Sequence, residues 1–184
     1  MSAFLRRLLT PPPARLAAEA LYTACVKQAR QTVFYHDLGV PDTVDGRFDM
    51  VVLHVFLVME RLRDSGGDAE LQRLFQECLF ADMDRSLREM GVGDLSVGNR
   101  VRDMASAYFG RLHAYQAALH DGAGGALQDA LLRNVWRGAQ PGRDRLDVMA
   151  DYVLRQRAIL ASISLQDLCA GRLAFDLSRM KVTG

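Results

Sequence analysis

Ala69-Glu-Leu-Gln-Arg-Leu-Phe-Gln-Glu-Cys-Leu-Phe-Ala-Asp-Met-Asp-Arg-Ser-Leu-Arg-Glu-Met90 decides the fold class. Leu71, Leu74, Phe75, Cys78, Leu79, Met83, Leu87 and Met90 recur at steps of three and four, the spacing of one buried helical face. Asp68 stands where an N-cap belongs, and Gly91-Val-Gly93 stops the pattern. The same rhythm continues on both sides. Val97, Val101, Met104, Tyr108, Leu112, Tyr115 and Leu119 trace a fourth helix, with Ser96 as its expected cap. Upstream, Arg47 to Arg63 is apolar nearly all round, which predicts a buried central helix with Leu53, Phe56 and Leu57 in the core.

Working outward, Thr10 before Pro11-Pro12-Pro13 predicts the cap and first turn of a helix reaching about Arg30. Gly39 and Pro41 break the pattern, and Pro41 biases Val40 away from helix, so Val33 to Asp45 is expected to be extended or turn-like. A fifth helix carries Leu127, Leu131, Val135 and Trp136, and a sixth follows Pro141-Gly142 with Leu146, Met149, Val153, Leu154, Leu160 and Ala161. Ser164 and Asp167 predict a last capped turn before Gly171. Leu173 to Leu177 is the only alternating stretch. The expectation is an all-α, single compact domain of about six helices over residues 14–184, preceded by a short amphipathic, Pro-rich arm at 1–13. In that arm Phe4, Leu5, Leu8 and Leu9 surround Arg6 and Arg7, a pattern suited to weak membrane attachment or a partner surface.

Composition sets the function classes. The 184 residues carry 23 basic and 22 acidic side chains, a net charge of +1. That balance argues against direct binding to nucleic acid. Lysine occurs only at Lys27 and Lys181, so arginine supplies almost all positive charge. Cys25, Cys78 and Cys169 are far apart and form no C-x-x-C pair; each has apolar neighbours and is expected in the core. The longest apolar run, Met50 to Met59, is too short to span a bilayer as a helix.

No catalytic constellation emerges. The chain has no G-x-S-x-G, no phosphate-binding G-x-x-x-x-G-K-[ST] and no H-E-x-x-H. His36, His54, His113 and His120 have no partner at metal-ligand spacing, and Glu-x-x-His pairs are absent. His54 is expected to be a hydrogen-bonded core residue. Asp82 and Asp84 diverge on a helix and cannot chelate one ion. What remains is charge. Asp82, Arg85 and Glu89 share one helical face, while Asp84 and Arg88 sit at the favourable acid-before-base spacing of four. Asp37, Asp42, Asp45 and Asp49 cluster around Arg47, and Arg133, Arg137, Arg143 and Arg145 crowd the other end. Together they predict one acidic and one basic surface for binding another protein.

Three blocks carry a resemblance. Phe34-Tyr-His-Asp-Leu-Gly-Val-Pro-Asp-Thr-Val-Asp-Gly-Arg-Phe-Asp-Met50, the stretch Leu74-Phe75 with Phe80-Ala-Asp-Met-Asp-Arg-Ser-Leu-Arg-Glu-Met-Gly-Val-Gly-Asp94, and Tyr108-Phe-Gly-Arg-Leu-His-Ala-Tyr115 resemble the ubiquinol–cytochrome c chaperone family. The similarity covers about Val33 to Leu177. It implies an assembly factor for the respiratory cytochrome bc complex (complex III), a chaperone with cytochrome b as client protein, no enzymatic activity and no cofactor. In mitochondrial members a small partner protein and the ribosome are further contacts. The arginine-rich composition and short start point to an alphaproteobacterial member in the bacterial cytoplasm, peripheral on the inner membrane. The charged residues inside the three blocks are the expected partner-binding set: Asp42, Arg47, Asp49, Asp82, Asp84, Arg88, Glu89, Asp94 and Arg111. The alternative is a helical carrier of heme or an isoprenoid quinone, using the apolar helix with His54 or His113.

Overall fold

The computed structural model describes residues 12–66, 68–121, 124–178 and 180. Its elements are α1 (Pro13–Ala29), α2 (Thr32–His36), α3 (Val44–Asp64), α4 (Ala69–Glu89), α5 (Asp94–Asp121), α6 (Ala126–Asn134), α7 (Arg143–Ser162) and α8 (Leu165–Cys169). Six of these have nine residues or more. No strand occurs among the described residues, and no helix among them is long and apolar enough to cross a membrane. The all-α expectation is met.

Helix α3 is the axis. Its residues from Val52 to Met59 are all buried, because apolar side chains cover its whole circumference. Around it run α1, α4, α5, α6 and α7, each packed on the next, with α3 touching α1, α4, α5 and α7. The ring closes where Gln28 of α1 donates to the Tyr152 hydroxyl of α7, at 2.9 Å. Leu53, Phe56 and Leu57 are buried as expected.

The hydrogen bonds at His54 explain a histidine in that core. Its Nδ1–H donates to the Met50 carbonyl at 2.7 Å, so Nε2 accepts from the Tyr152 hydroxyl, also 2.7 Å. Burial pulls the imidazole pKa down to about 4, keeping it neutral. With both ring nitrogens engaged, His54 has no lone pair to offer a heme iron. Among the described residues no group of histidine, cysteine or acidic side chains could hold a metal ion.

Element starts follow local chemistry. Thr43 caps α3 by accepting from the Gly46 amide at 3.1 Å, and Asp68 caps α4 by accepting from the Glu70 amide. Gly46 has a second role: a Cβ there would lie 1.9 Å from the Pro41 carbonyl oxygen, so only glycine lets the turn close against the helix. Ser164 caps α8 through the Asp167 amide.

Four expectations are corrected. Val33 to Asp45 is not wholly extended, because Thr32–His36 forms a short helix that buries Phe34 against His54 and Tyr152. Ser96 does not cap α5; the Gly93 carbonyl already accepts from the Ser96 and Val97 amides, so the helix starts a turn earlier. Trp136 lies past the end of α6, where its indole donates to the Leu38 carbonyl at 3.2 Å. Cys169 is exposed at the end of α8, whose single turn buries only Leu168. The alternating Leu173–Leu177 stretch pairs with no strand. Gln156 supplies a substitute, donating to the Asp176 carbonyl and accepting from the Asp176 amide. Phe4, Leu5, Leu8, Leu9 and the expected Thr10 cap lie outside the described residues.

Candidate functional site

A groove of about 1150 Å³ lies between the start of α3, the second half of α4, the first half of α5 and the second half of α1. Its floor is apolar: Val44, Phe48 and Val51 come from α3, Leu79, Met83 and Leu87 from α4, with Met90 just beyond α4 and Met104 from α5. Val44 is 60% exposed and Met90 49%, large values for apolar side chains flanking a core. A second hollow of about 750 Å³, beside Tyr35 and His36, shares Arg30 and Arg47 with it.

The rim is charged on every side: Arg30, Asp45, Arg47, Asp82, Glu89, Arg100, Asp103 and Arg137. The side chains of Arg30, Glu89, Arg100 and Asp103 make no hydrogen bond or ion pair with another described residue. Asp82 is half-buried and accepts from the Tyr22 hydroxyl at 2.7 Å. Burial, reinforced by that hydrogen bond, drives the Tyr22 pKa up, so the tyrosine stays a donor.

The predicted set divides in two. Asp42 and Arg47 form an exposed pair at 2.6 Å, and that hydrogen bond holds Asp42 below the usual carboxylate range. On the back of α4, Arg88 pairs with Asp84 at 2.7 Å and reaches across the turn to Asp94; the Asp84 pKa is lowered by Arg88. Asp82 and Glu89 line the groove. Asp49 and Arg111 are elsewhere in kind. Asp49 is fully buried and receives Arg111 Nη2 at 2.8 Å and the Arg137 guanidinium through both Nε and Nη2. Arg111 also lies 5.8 Å from the Phe48 ring centroid. Burial pushes the Asp49 carboxyl up, and the two arginines pull it back.

Arg137 was legible only as part of a basic cluster, yet it joins the two expected surfaces. Its Nη1 holds exposed Asp45 at 2.9 Å while its other nitrogens hold Asp49. It does so from a left-handed backbone, φ +50°, which no other non-glycine described residue adopts. Such a conformation persists when the surroundings over-determine it; here buried Trp136 on one side and Gly138, φ +91°, on the other fix the turn. The acidic and basic clusters are therefore partly neutralised against each other rather than standing as separate faces. Sequence reasoning missed the groove's apolar members, because Met83, Met90 and Met104 look like ordinary stripe residues.

The profile of the family described as ubiquinol-cytochrome C chaperone matches residues 36–175. A ubiquinol-cytochrome-c reductase complex assembly factor 1 from Xenopus laevis is 24% identical over 84% of this chain and 77% of its own. The Mus musculus counterpart is 25% identical, and this chain spans 52% of it. Protein CBP3, mitochondrial, from Saccharomyces cerevisiae is 27% identical over 81% of this chain and 46% of its own, so the chain spans about half the length of these last two. Among solved structures, a Cbp3 homolog from Brucella abortus superposes with a TM-score of 0.80 at 33% identity, over 98% of this chain and 97% of that one. The chain belongs to the ubiquinol-cytochrome C chaperone family.

Proposed function

We propose that the chain is an assembly factor for the cytochrome bc complex and that its groove holds a segment of newly made cytochrome b. The family assignment supports the assembly role, and the groove supports the mode of holding. The observation that carries the reading is the apolar, methionine-lined floor beneath a rim with four charges that have no side-chain partner among the described residues. Methionine is unbranched and polarizable, so it repacks around unlike apolar side chains. A surface of that kind suits a client that must be held and then released. The volume exceeds the roughly 300–1,000 Å³ of ordinary small-molecule sites and fits a short helix laid by its apolar face into the groove. Asp42, Arg47, Asp82, Glu89 and Asp94 would then meet polar groups of the client from the rim and the adjoining surface. Asp49 and Arg111 hold the walls from inside.

The test is capture from membranes with the chain as bait. Cytochrome b is expected to be enriched over other polytopic membrane proteins, and the double variant Val44→Asp, Met90→Asp to lose that enrichment while melting normally. Equal recovery of unrelated membrane proteins, or undiminished capture by the double variant, refutes the reading.

A further inference from the structure

We infer that the groove selects a segment whose apolar face is flanked by lysine or arginine along the edge that meets α4 and α5. The inference rests on the groove being a segment-binding surface and adds the chemistry of the segment. The rim charges divide by the element that carries them. Arg30 closes the end of α1, Asp45 and Arg47 stand at the start of α3, and Arg137 lies in the turn after α6. Asp82 and Glu89 stand on α4, with Arg100 and Asp103 on α5, and these two helices pack directly on each other.

The first group is neutralised largely from within. Arg47 holds Asp42 at 2.6 Å, and Arg137 holds both Asp45 and Asp49. Arg30 alone in that group has no side-chain partner among the described residues. The second group lacks such compensation. Glu89 and Asp103 are exposed and have no described side-chain partner. Asp82 accepts from the Tyr22 hydroxyl, an uncharged donor that leaves its negative charge in place. Arg100 is the single lining cation set against these three acids; Arg85 and Arg102, on the same helices, do not line the groove, and Arg88 is taken up by Asp84 and Asp94. The α4–α5 side is therefore an acidic wall above an apolar floor, where a cation is drawn in and an acid is repelled. Lysine and arginine suit it doubly, because their stems cover apolar surface while their heads reach the carboxylates. Segments that join apolar character to such residues are common where membrane spans end on the cytoplasmic side.

Synthetic amphipathic helices test the inference, identical in their leucine face and carrying lysine, glutamine or glutamate along the edges. At about 10 mM ionic strength, where charges act over about 30 Å, the lysine-edged peptide is expected to associate with the full chain about tenfold faster than the glutamate-edged one. At about 1 M salt, where that range falls to about 3 Å, the two rates are expected to converge. Glu89→Lys with Asp103→Lys is expected to invert the low-salt order while melting near the parent. In protein carrying 13C at the methionine methyls, Met83, Met90 and Met104 are expected to shift on binding, and buried Met50 and Met149, outside the groove lining, to stay unmoved. Equal association rates at low salt, or an order that the double reversal leaves unchanged, overturn the inference. Binding that leaves the three methyls unmoved also overturns it, because the charges then act at another surface. The client reading fails separately: cytochrome b goes uncaptured while the lysine-edged peptide still wins at the groove. Enriched cytochrome b beside equal peptide rates removes the charge selection alone.

Discussion

Replacing Asp49 by alanine separates what builds the groove from what a client meets. The carboxylate is wholly buried and carries two arginines from different elements. Removing one partner of a buried ion pair costs about 3–5 kcal/mol, because the other charge is left uncompensated. Arg111 is the charge at risk. Its side chain is 11% exposed, its Nε already lacks a partner among the described residues, and without Asp49 it keeps only the Ala107 carbonyl at 3.0 Å. Arg137 is less exposed to this loss, since it is 37% accessible and retains Asp45. For a chain of this length 1 kcal/mol moves Tm by about 2–4 °C, so Asp49→Ala is expected to lower Tm by about 6–20 °C. Arg137→Ala leaves Asp49 its bond to Arg111 and is expected to cost less. Arg137→Gly, which also releases the left-handed backbone, is expected to sit up to about 1 kcal/mol above Arg137→Ala. Thermal melts followed by circular dichroism give the order. An Asp49→Ala protein melting within about 3 °C of the parent, or an Arg137→Ala protein melting below it, refutes the reasoning.

Three further outcomes follow from particular contacts. Gly46→Ala places a methyl 1.9 Å from the Pro41 carbonyl oxygen and forces the turn off the helix, so a loss of roughly 1–3 kcal/mol in denaturant titration is expected; no loss would mean the turn moves freely. His54 makes the fold acid-sensitive. Its unfolded imidazole takes a proton near pH 6.5 and the buried one only near 4, so stability falls as pH drops across that window, by about 3 kcal/mol from this residue. Urea midpoints at pH 7 and pH 4.5 should therefore diverge more for the parent than for His54→Gln, and equal divergence would contradict the assignment. Glu89→Lys with Asp103→Lys reverses two rim charges that have no described partner, so stability is expected to change by no more than about 0.5 kcal/mol per site while cytochrome b capture falls. Full capture at normal melting would reduce those charges to a solvated face.

The helices were legible because their information is local. Steps of three and four, Asp68 at a cap and Gly91 at a stop each need only neighbouring residues, and all are found where the periodicity places them. What was not legible depends on pairs distant in sequence. Nothing near Asp49 announces that it meets Arg111 and Arg137, 62 and 88 residues on, so a buried ion cluster looked like three surface charges. Nothing near Tyr152 announces His54, 98 residues away. Exposure failed for the same reason. Met90 continues the stripe of Met83 and Leu87, but it lies just past the end of α4, 49% exposed and lining the groove. Val44, Phe48, Met83, Met90 and Arg111 all fall inside the three family-like blocks, although the blocks do not distinguish groove members from buried ones.

The proposed use of the groove for a transient client sets two opposing demands, which different chemistries would meet. Walls must hold their spacing, or binding energy is spent on ordering them. Asp49 does this by fixing α5 through Arg111 and the α6–α7 turn through Arg137 to a single point on α3. Directional bonds to a buried carboxylate define that spacing more sharply than apolar packing does, and the left-handed Arg137 shows the backbone bending to keep them. The floor must do the opposite and accept unlike side chains. Met90, 49% exposed, and half-buried Met104 offer rotatable, polarizable contacts above buried Met83. Release then follows from arithmetic. Apolar burial at about 25 cal/mol per Å² is set against several kcal/mol of lost freedom on association, so a short client segment binds weakly unless the rim adds to it. Rim charges with no partner among the described residues would add mainly rate and orientation rather than affinity. On the proposed reading, a rigid frame around an adaptable floor predicts capture that is quick, broadly tolerant of sequence along the bound segment, and readily reversed.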